Sequence, residues 1–211
     1  MRADERIVYV RSDLSTALGA QRVKEEIERR DGERGVNVLV HNSGTSWGAP
    51  METHEDEGWR KTYELNVIGV FRLTRELLGA LVKASTPEDP SRIIIVGSIA
   101  GVAPQTYPTF SYDASKAALH HLAKKLADEF ASKRKLNITV NVVAPGYVPT
   151  KMSKQLSKYG DSADDIVKNV PLGRAGTPED VAGAVLFFAS SASSWITGVV
   201  LPVDGGFLAK L

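Results

Sequence analysis

Arg92-Ile93-Ile94-Ile95-Val96-Gly97, followed by Ser98, is the stretch on which the fold turns. Its apolar residues are contiguous rather than alternating, which is the pattern of a strand covered on both faces. Ser111 to Lys133 then reads as a helix and Ile138 to Ala144 as a second strand of the same kind. A strand, a helix and another strand in that order form a βαβ unit, whose strands lie parallel in one sheet.

The alternation continues in both directions. Further apolar runs at Ile7 to Val10, Val36 to Val40 and Val199 to Val203 read as strands, and Ala17 to Arg30, Trp59 to Lys83 and Pro178 to Ser190 as helices. Val70, Leu73, Leu77 and Leu81 recur at helical spacing, and Thr177-Pro178-Glu179-Asp180 is a strong helix start. The expected fold class is α/β, a doubly wound parallel sheet with helices on both faces, formed by residues 1–211 as one domain. Ser85 to Ser91 and Lys151 to Thr177 read as irregular, the second being a candidate substrate lid.

Composition narrows the function. Lys plus Arg total 26 against 25 for Asp plus Glu, so no net field favours nucleic acid or an anionic membrane. With no cysteine, disulfides, thiolate nucleophiles and cysteine-ligated metals are excluded. No apolar run is long enough to cross a bilayer, and the one near the start is too short for a secretory signal. The cytoplasm is the expected compartment. His54, His120 and His121 have no metal-ligand spacing, so no metal site is expected.

Tyr112 and Lys116 stand four residues apart on one helix face. A phenol is a poor acid near neutral pH, but an ammonium about 4 Å away, at an effective dielectric of about 20, stabilises phenolate by about 4 kcal/mol. That is enough to bring a pKa of about 10 towards neutrality. Ser98 ends a strand where an open parallel sheet turns its carboxyl end towards a ligand crevice, and can hydrogen-bond a carbonyl there or serve only as a loop or cap hydroxyl. Asn66 places a carboxamide among apolar neighbours, where it needs partners; a structural tie to backbone and a water-holding role are both open.

His41-Asn42-Ser43-Gly44 follows another strand and permits close backbone approach to a ligand, or is a plain turn. Asp13 can accept from an amino group or cap the next helix. Pro145-Gly146, with Val148 and Thr150 beyond, ends the strand from Ile138, and Asp204-Gly205-Gly206 closes the last strand as a turn.

In this order the motifs resemble those of the short-chain dehydrogenase/reductase family, from Ile7 onward. Ser43 to Pro50, Ser115 to His120 and Asp204 to Phe207 are similar to its 3-oxoacyl-acyl-carrier-protein reductase branch. The resemblance implies a Rossmann-like fold and NADP(H)-dependent reduction of a ketone, with NAD not excluded. It implies Tyr112 as general acid, Lys116 lowering its pKa and holding the nicotinamide ribose, Ser98 polarising the carbonyl and Asn66 anchoring a relay water. It places Asp13 at the adenine, Asn42, Ser43 and Gly44 along the middle of the cofactor, and Pro145, Gly146, Val148 and Thr150 near its carboxamide and phosphate. The expected partners are a small ketone or hydroxy substrate and further copies of the chain, in a dimer or tetramer built on the helices containing Asn66 and Tyr112.

Two departures stand out. The turn reads His41-Asn42-Ser43-Gly44 where the family pattern is Asn-Asn-Ala-Gly. Nothing before Asp13 resembles the family's Gly-x-x-x-Gly-x-Gly loop with its strand and the next helix and strand, on the order of 45 residues. That loop supplies N–H groups to the pyrophosphate, and the missing region selects between NAD and NADP. The expected consequence is a first strand without its neighbour, and an alternative function: a truncated, non-catalytic relative serving as an oligomerisation partner.

Overall fold

The computed structural model of the protein describes residues 7–153 and 163–210. Their centre is a sheet of four parallel strands in the order β1 (Val38–His41), β2 (Ser91–Val96), β3 (Ile138–Pro145), β4 (Val200–Val203). Successive strands are neighbours, so each connection is a crossover long enough to carry a helix.

Side chains along β2 alternate between two cores. Ile93 and Ile95 face a layer made by α1 (Ala17–Asp31), α3 (Val70–Ala84) and α4 (Phe110–Asp128), where Leu73, Leu77, Leu119 and Leu126 are buried. Ile94 faces the opposite side with Val143 and Phe188, the latter from α6 (Pro178–Ala189). Both faces are therefore covered, which is why the strands carry contiguous apolar runs.

Local sequence sets the helix ends. Thr177 accepts from the Asp180 N–H while the Asp180 carboxylate accepts from the Thr177 N–H, a reciprocal cap with Pro178 in the first turn. Thr16 caps α1 by accepting from the Gly19 N–H. Asp13, the other candidate for that cap, instead accepts from the N–H and hydroxyl of Ser15, 3.0 and 2.7 Å away.

Four expectations need correction. Ile7 to Val10 is not a strand: it joins no ladder among the described residues, and Tyr9 is 90% exposed. An extended segment with no lateral neighbour keeps its backbone hydrogen bonds with water. The strand read at Val36 to Val40 runs from Val38 to His41, so His41 is a buried strand residue, bonded at 2.9 Å to the Thr74 hydroxyl, rather than part of the turn. The helix read from Trp59 to Lys83 is α2 (Asp56–Tyr63), a π-helical turn at Glu64–Gly69, and α3. Finally, α5 (Ala163–Lys168) interrupts the connection read as irregular from Lys151 to Thr177, while residues 154–162 of that candidate lid lie outside the described residues.

Among the described residues no helix is long and apolar enough to cross a membrane, and no cluster of His, Asp and Glu can hold a metal ion.

Candidate active site

Three strands deliver their following residues to one edge of the sheet. His41 is in register with Ile95, Val96 with Val143, and Pro145 with Val203, so Asn42 to Gly44, Gly97 to Ser98 and Gly146 all emerge at the carboxyl end. Open parallel sheets bind ligands there because successive connections part above it.

Ser98 opens a short 3-10 turn, Ile99–Gly101, accepting at 3.2 Å from the Ala100 N–H. Its hydroxyl lies close enough to the Tyr112 phenol to lower that phenol's pKa. Lys116, one turn further along α4, extends over the Tyr112 ring, with Nζ 5.7 Å from the ring centroid, and donates at 3.0 Å to the Val96 carbonyl. Serine, tyrosine and lysine are thus one cluster built by β2 and α4.

Its electrostatics differ from the expectation. Lys116 is only 5% exposed, and burial lowers its pKa to about 8. Burial also pushes the Tyr112 phenol above its ordinary value, with the Ser98 hydroxyl offsetting only part of the rise. The ammonium passes over the ring and engages a carbonyl, and desolvation of the phenolate is the largest influence on the phenol.

Asn66 lies in the π-helical turn and is fully buried. Its Oδ1 accepts from the Thr45 N–H at 2.9 Å, and its Nδ2 donates to the Thr45 carbonyl and the Ser115 hydroxyl, each at 2.9 Å. Both amide protons are spent in these bonds, which make the structural tie to backbone that the sequence left open. A Cβ on Gly44 would stand 3.4 Å from Asn66 Oδ1 and 3.6 Å from Lys116 Nζ, so the Asn42 to Gly44 turn reaches the same centre.

The remaining candidates have local partners. Gly146 is required by crowding, since a Cβ there would meet Asp204 Cα at 2.9 Å. The Asp204 carboxylate accepts from the N–H groups of Gly206 and Leu208, holding Gly205 and Gly206 at positive φ in the expected turn. Val148 lies beside Gly176, and Thr150 exchanges hydrogen bonds with Ser153 on an exposed loop. Asp13 stays on the surface with Ser15.

Sequence reasoning missed Ser115 and His120. Ser115 is the buried partner of Asn66; its only signal is a hydroxyl in a helix face of small residues next to Lys116. His120 is a wedge against the Ser98 turn: a Cβ on Gly97 would fall 2.3 Å from its Nε2, which accepts from the Ser98 N–H at 3.5 Å. A concavity of about 450 Å³ lies between Met51, His54, Trp59, Tyr107 and Phe110 and is not lined by Ser98, Tyr112 or Lys116.

The fold and cluster define a dinucleotide-type α/β enzyme scaffold with a serine, tyrosine and lysine at the ligand edge of its sheet. Residues 2–208 match the family model described as enoyl-(acyl carrier protein) reductase, and the chain belongs to the short-chain dehydrogenase/reductase family of oxidoreductases. It is 37% identical over 196 residues to the rhamnolipids biosynthesis 3-oxoacyl-[acyl-carrier-protein] reductase of Pseudomonas aeruginosa, covering 93% of this chain and 75% of that protein. It is 38% identical over 194 residues to the 3-oxoacyl-[acyl-carrier-protein] reductase FabG of Escherichia coli, covering 92% of this chain and 75% of FabG. Among solved structures, the Pseudomonas aeruginosa RhlG/NADP active-site complex superposes with a TM-score of 0.85 at 36% identity, over 94% of this chain and 75% of the other. A gluconate 5-dehydrogenase from Burkholderia cenocepacia in complex with NADP and tartrate gives 0.81 at 28% identity, over 94% and 74%.

Proposed function

We propose that the protein is an NADP(H)-dependent reductase that converts a ketone of the 3-oxoacyl type to a secondary alcohol. The observation that carries this reading is the convergence of the Ser98 hydroxyl, the Tyr112 phenol and the Lys116 ammonium at the carboxyl edge of the sheet. The names of these relatives point the same way.

A nicotinamide dinucleotide fits the described residues at one end. The space a Cβ would fill at Gly44, beside Lys116 Nζ, suits a ribose hydroxyl, and the turn from Asn42 to Gly44 permits close approach. Pro145 and Gly146 stand at the same carboxyl edge, after β3, and Val148 and Thr150 follow them in the chain. The chemistry such a cofactor supplies when bound is hydride for the carbonyl carbon.

The chain's own residues manage the oxygen. Ser98 donates to the carbonyl and polarises it. Tyr112 then gives its proton to the oxygen as negative charge develops there. Lys116, still mainly cationic below its pKa of about 8, stabilises the phenolate left behind.

The decisive assay follows NADPH oxidation with a medium-chain 3-oxoacyl thioester. Turnover is expected, and Tyr112→Phe, which removes only the transferable proton, should lower kcat by about 10² to 10⁴-fold with the fold intact by circular dichroism. An equally active Tyr112→Phe variant would overturn the assignment.

A second reading, a non-catalytic partner subunit, draws on the exposed Trp59, Ile68, Phe71 and Phe110 along the helices from α2 to α4, which are also the surfaces through which a dimer or tetramer would form. NADPH binding by calorimetry separates the two: the reductase binds it, the bare partner does not.

A further inference from the structure

Ser115 is held between two of the site's elements. Its hydroxyl proton goes to the Tyr112 carbonyl at 2.7 Å, so towards Asn66 its oxygen can only accept. That requirement turns the amino end of the Asn66 carboxamide towards α4. It agrees with the demand from the other side, where the Thr45 N–H needs the amide oxygen and the Thr45 carbonyl the second amide proton. With its orientation set from both sides, the amide bridges the π-helical turn, α4 and the backbone after Gly44 through bonds no longer than 2.9 Å, and both side chains are completely buried.

We infer that Ser115 is a positioning residue of the carbonyl-reducing site: its hydroxyl fixes the Asn66 amide, and through it the Gly44–Thr45 backbone beside the Lys116 ammonium. The inference rests on the reductase reading above. Ser115 touches neither Ser98 nor the Tyr112 phenol in any recorded bond, and acts by keeping the turn after β1 at a set distance from α4. Without the hydroxyl, one Asn66 amide proton is left unpaired in a site closed to water, and the amide can swing away from Thr45.

The test uses Ser115→Ala, Asn66→Ala and the double variant in the full chain, with two readouts. Amide hydrogen exchange at Thr45 should accelerate roughly ten-fold in Ser115→Ala, the size expected for one buried hydrogen bond, while exchange at Val142 in β3 stays as in the parent. In the reductase assay kcat should fall by a similar factor with KM for the ketone little changed, and Ser115→Ala should add less than about two-fold in the Asn66→Ala background, because the two side chains act as one unit. If the alanine variant does not fold, Ser115→Cys, nearly isosteric and a poor hydrogen-bonding group, should give the same direction.

Unchanged exchange at Thr45, or fully additive losses of kcat, would overturn the inference. Absence of turnover in the parent would instead remove the reductase reading, and the exchange experiment would still decide whether Ser115 holds the turn.

Discussion

The corner where β2, α4 and the π-helical turn meet and the margin leading from Ile7 to Asp13 into α1 contain similar residue types and behave oppositely. In the corner, polar side chains are buried and paired, Asn66 with Thr45 and Ser115 and Lys116 with the Val96 carbonyl, as is His41 of the neighbouring β1 with Thr74 of α3. No buried side-chain nitrogen or oxygen among the described residues lacks a hydrogen-bond partner. Along the margin, apolar Ile7, Val8, Tyr9 and Leu18 stand in solvent and Asp13 bonds only within its own turn. Burial follows from lateral neighbours rather than from composition: β2 has a strand on each side, whereas Ile7 to Val10 has none among the described residues.

Acid breaks this contrast most strongly. Burial holds His41, and likewise His120, at a pKa of about 4 against an ordinary 6.5. Below about 6.5 the unfolded chain binds protons that the folded chain refuses until about 4. Stability should therefore be level above that window and fall as pH drops through it, with His41 contributing about 1.4 kcal/mol per pH unit. Urea midpoints between pH 4.5 and 7.5 measure the slope, and His41→Gln should reduce it by about one proton; an unchanged slope would place the titration elsewhere.

A smaller effect is expected from crowding. In Gly97→Ala the new methyl meets His120 Nε2 at 2.3 Å and Val142 Cγ1 at 2.7 Å, both held in the core. Overpacking of this kind costs about 1 to 3 kcal/mol and should show as a lower Tm. Gly183→Ala, where nothing lies within 4 Å, is the control expected to lose no stability.

The smallest effect belongs to the margin. Tyr9→Ser should move stability by no more than about 0.5 kcal/mol, since the ring is 90% exposed and Ile7 to Val10 joins no ladder among the described residues. A larger loss in thermal denaturation would show that the margin is covered in solution.

Helices α1, α4 and α6 and, with shifted ends, the four strands of the sheet were legible because contiguous apolar runs and cap signals act locally: Thr177-Pro178-Glu179-Asp180 starts a helix whatever surrounds it. The motif order from Ser98 through Tyr112 and Lys116 was legible for a related reason, since i to i+4 spacing on a helix and a serine at a strand end already constrain where the groups can point. Ser115 was not, because a small hydroxyl on a buried face carries no signal until its partner is known.

What the sequence determined by itself is therefore the alternation of elements, the parallel sheet and the identity of the serine, tyrosine and lysine that meet at its edge. Tertiary structure alone decided which way the electrostatics run. Spacing sets how near a lysine can come to a phenol, but the balance between attraction and desolvation depends on how much water remains, and here burial raises the Tyr112 pKa and lowers that of Lys116. It likewise decided that Ile7 to Val10 is no strand, because a strand is a property of two chain segments and only one of them is written in those residues.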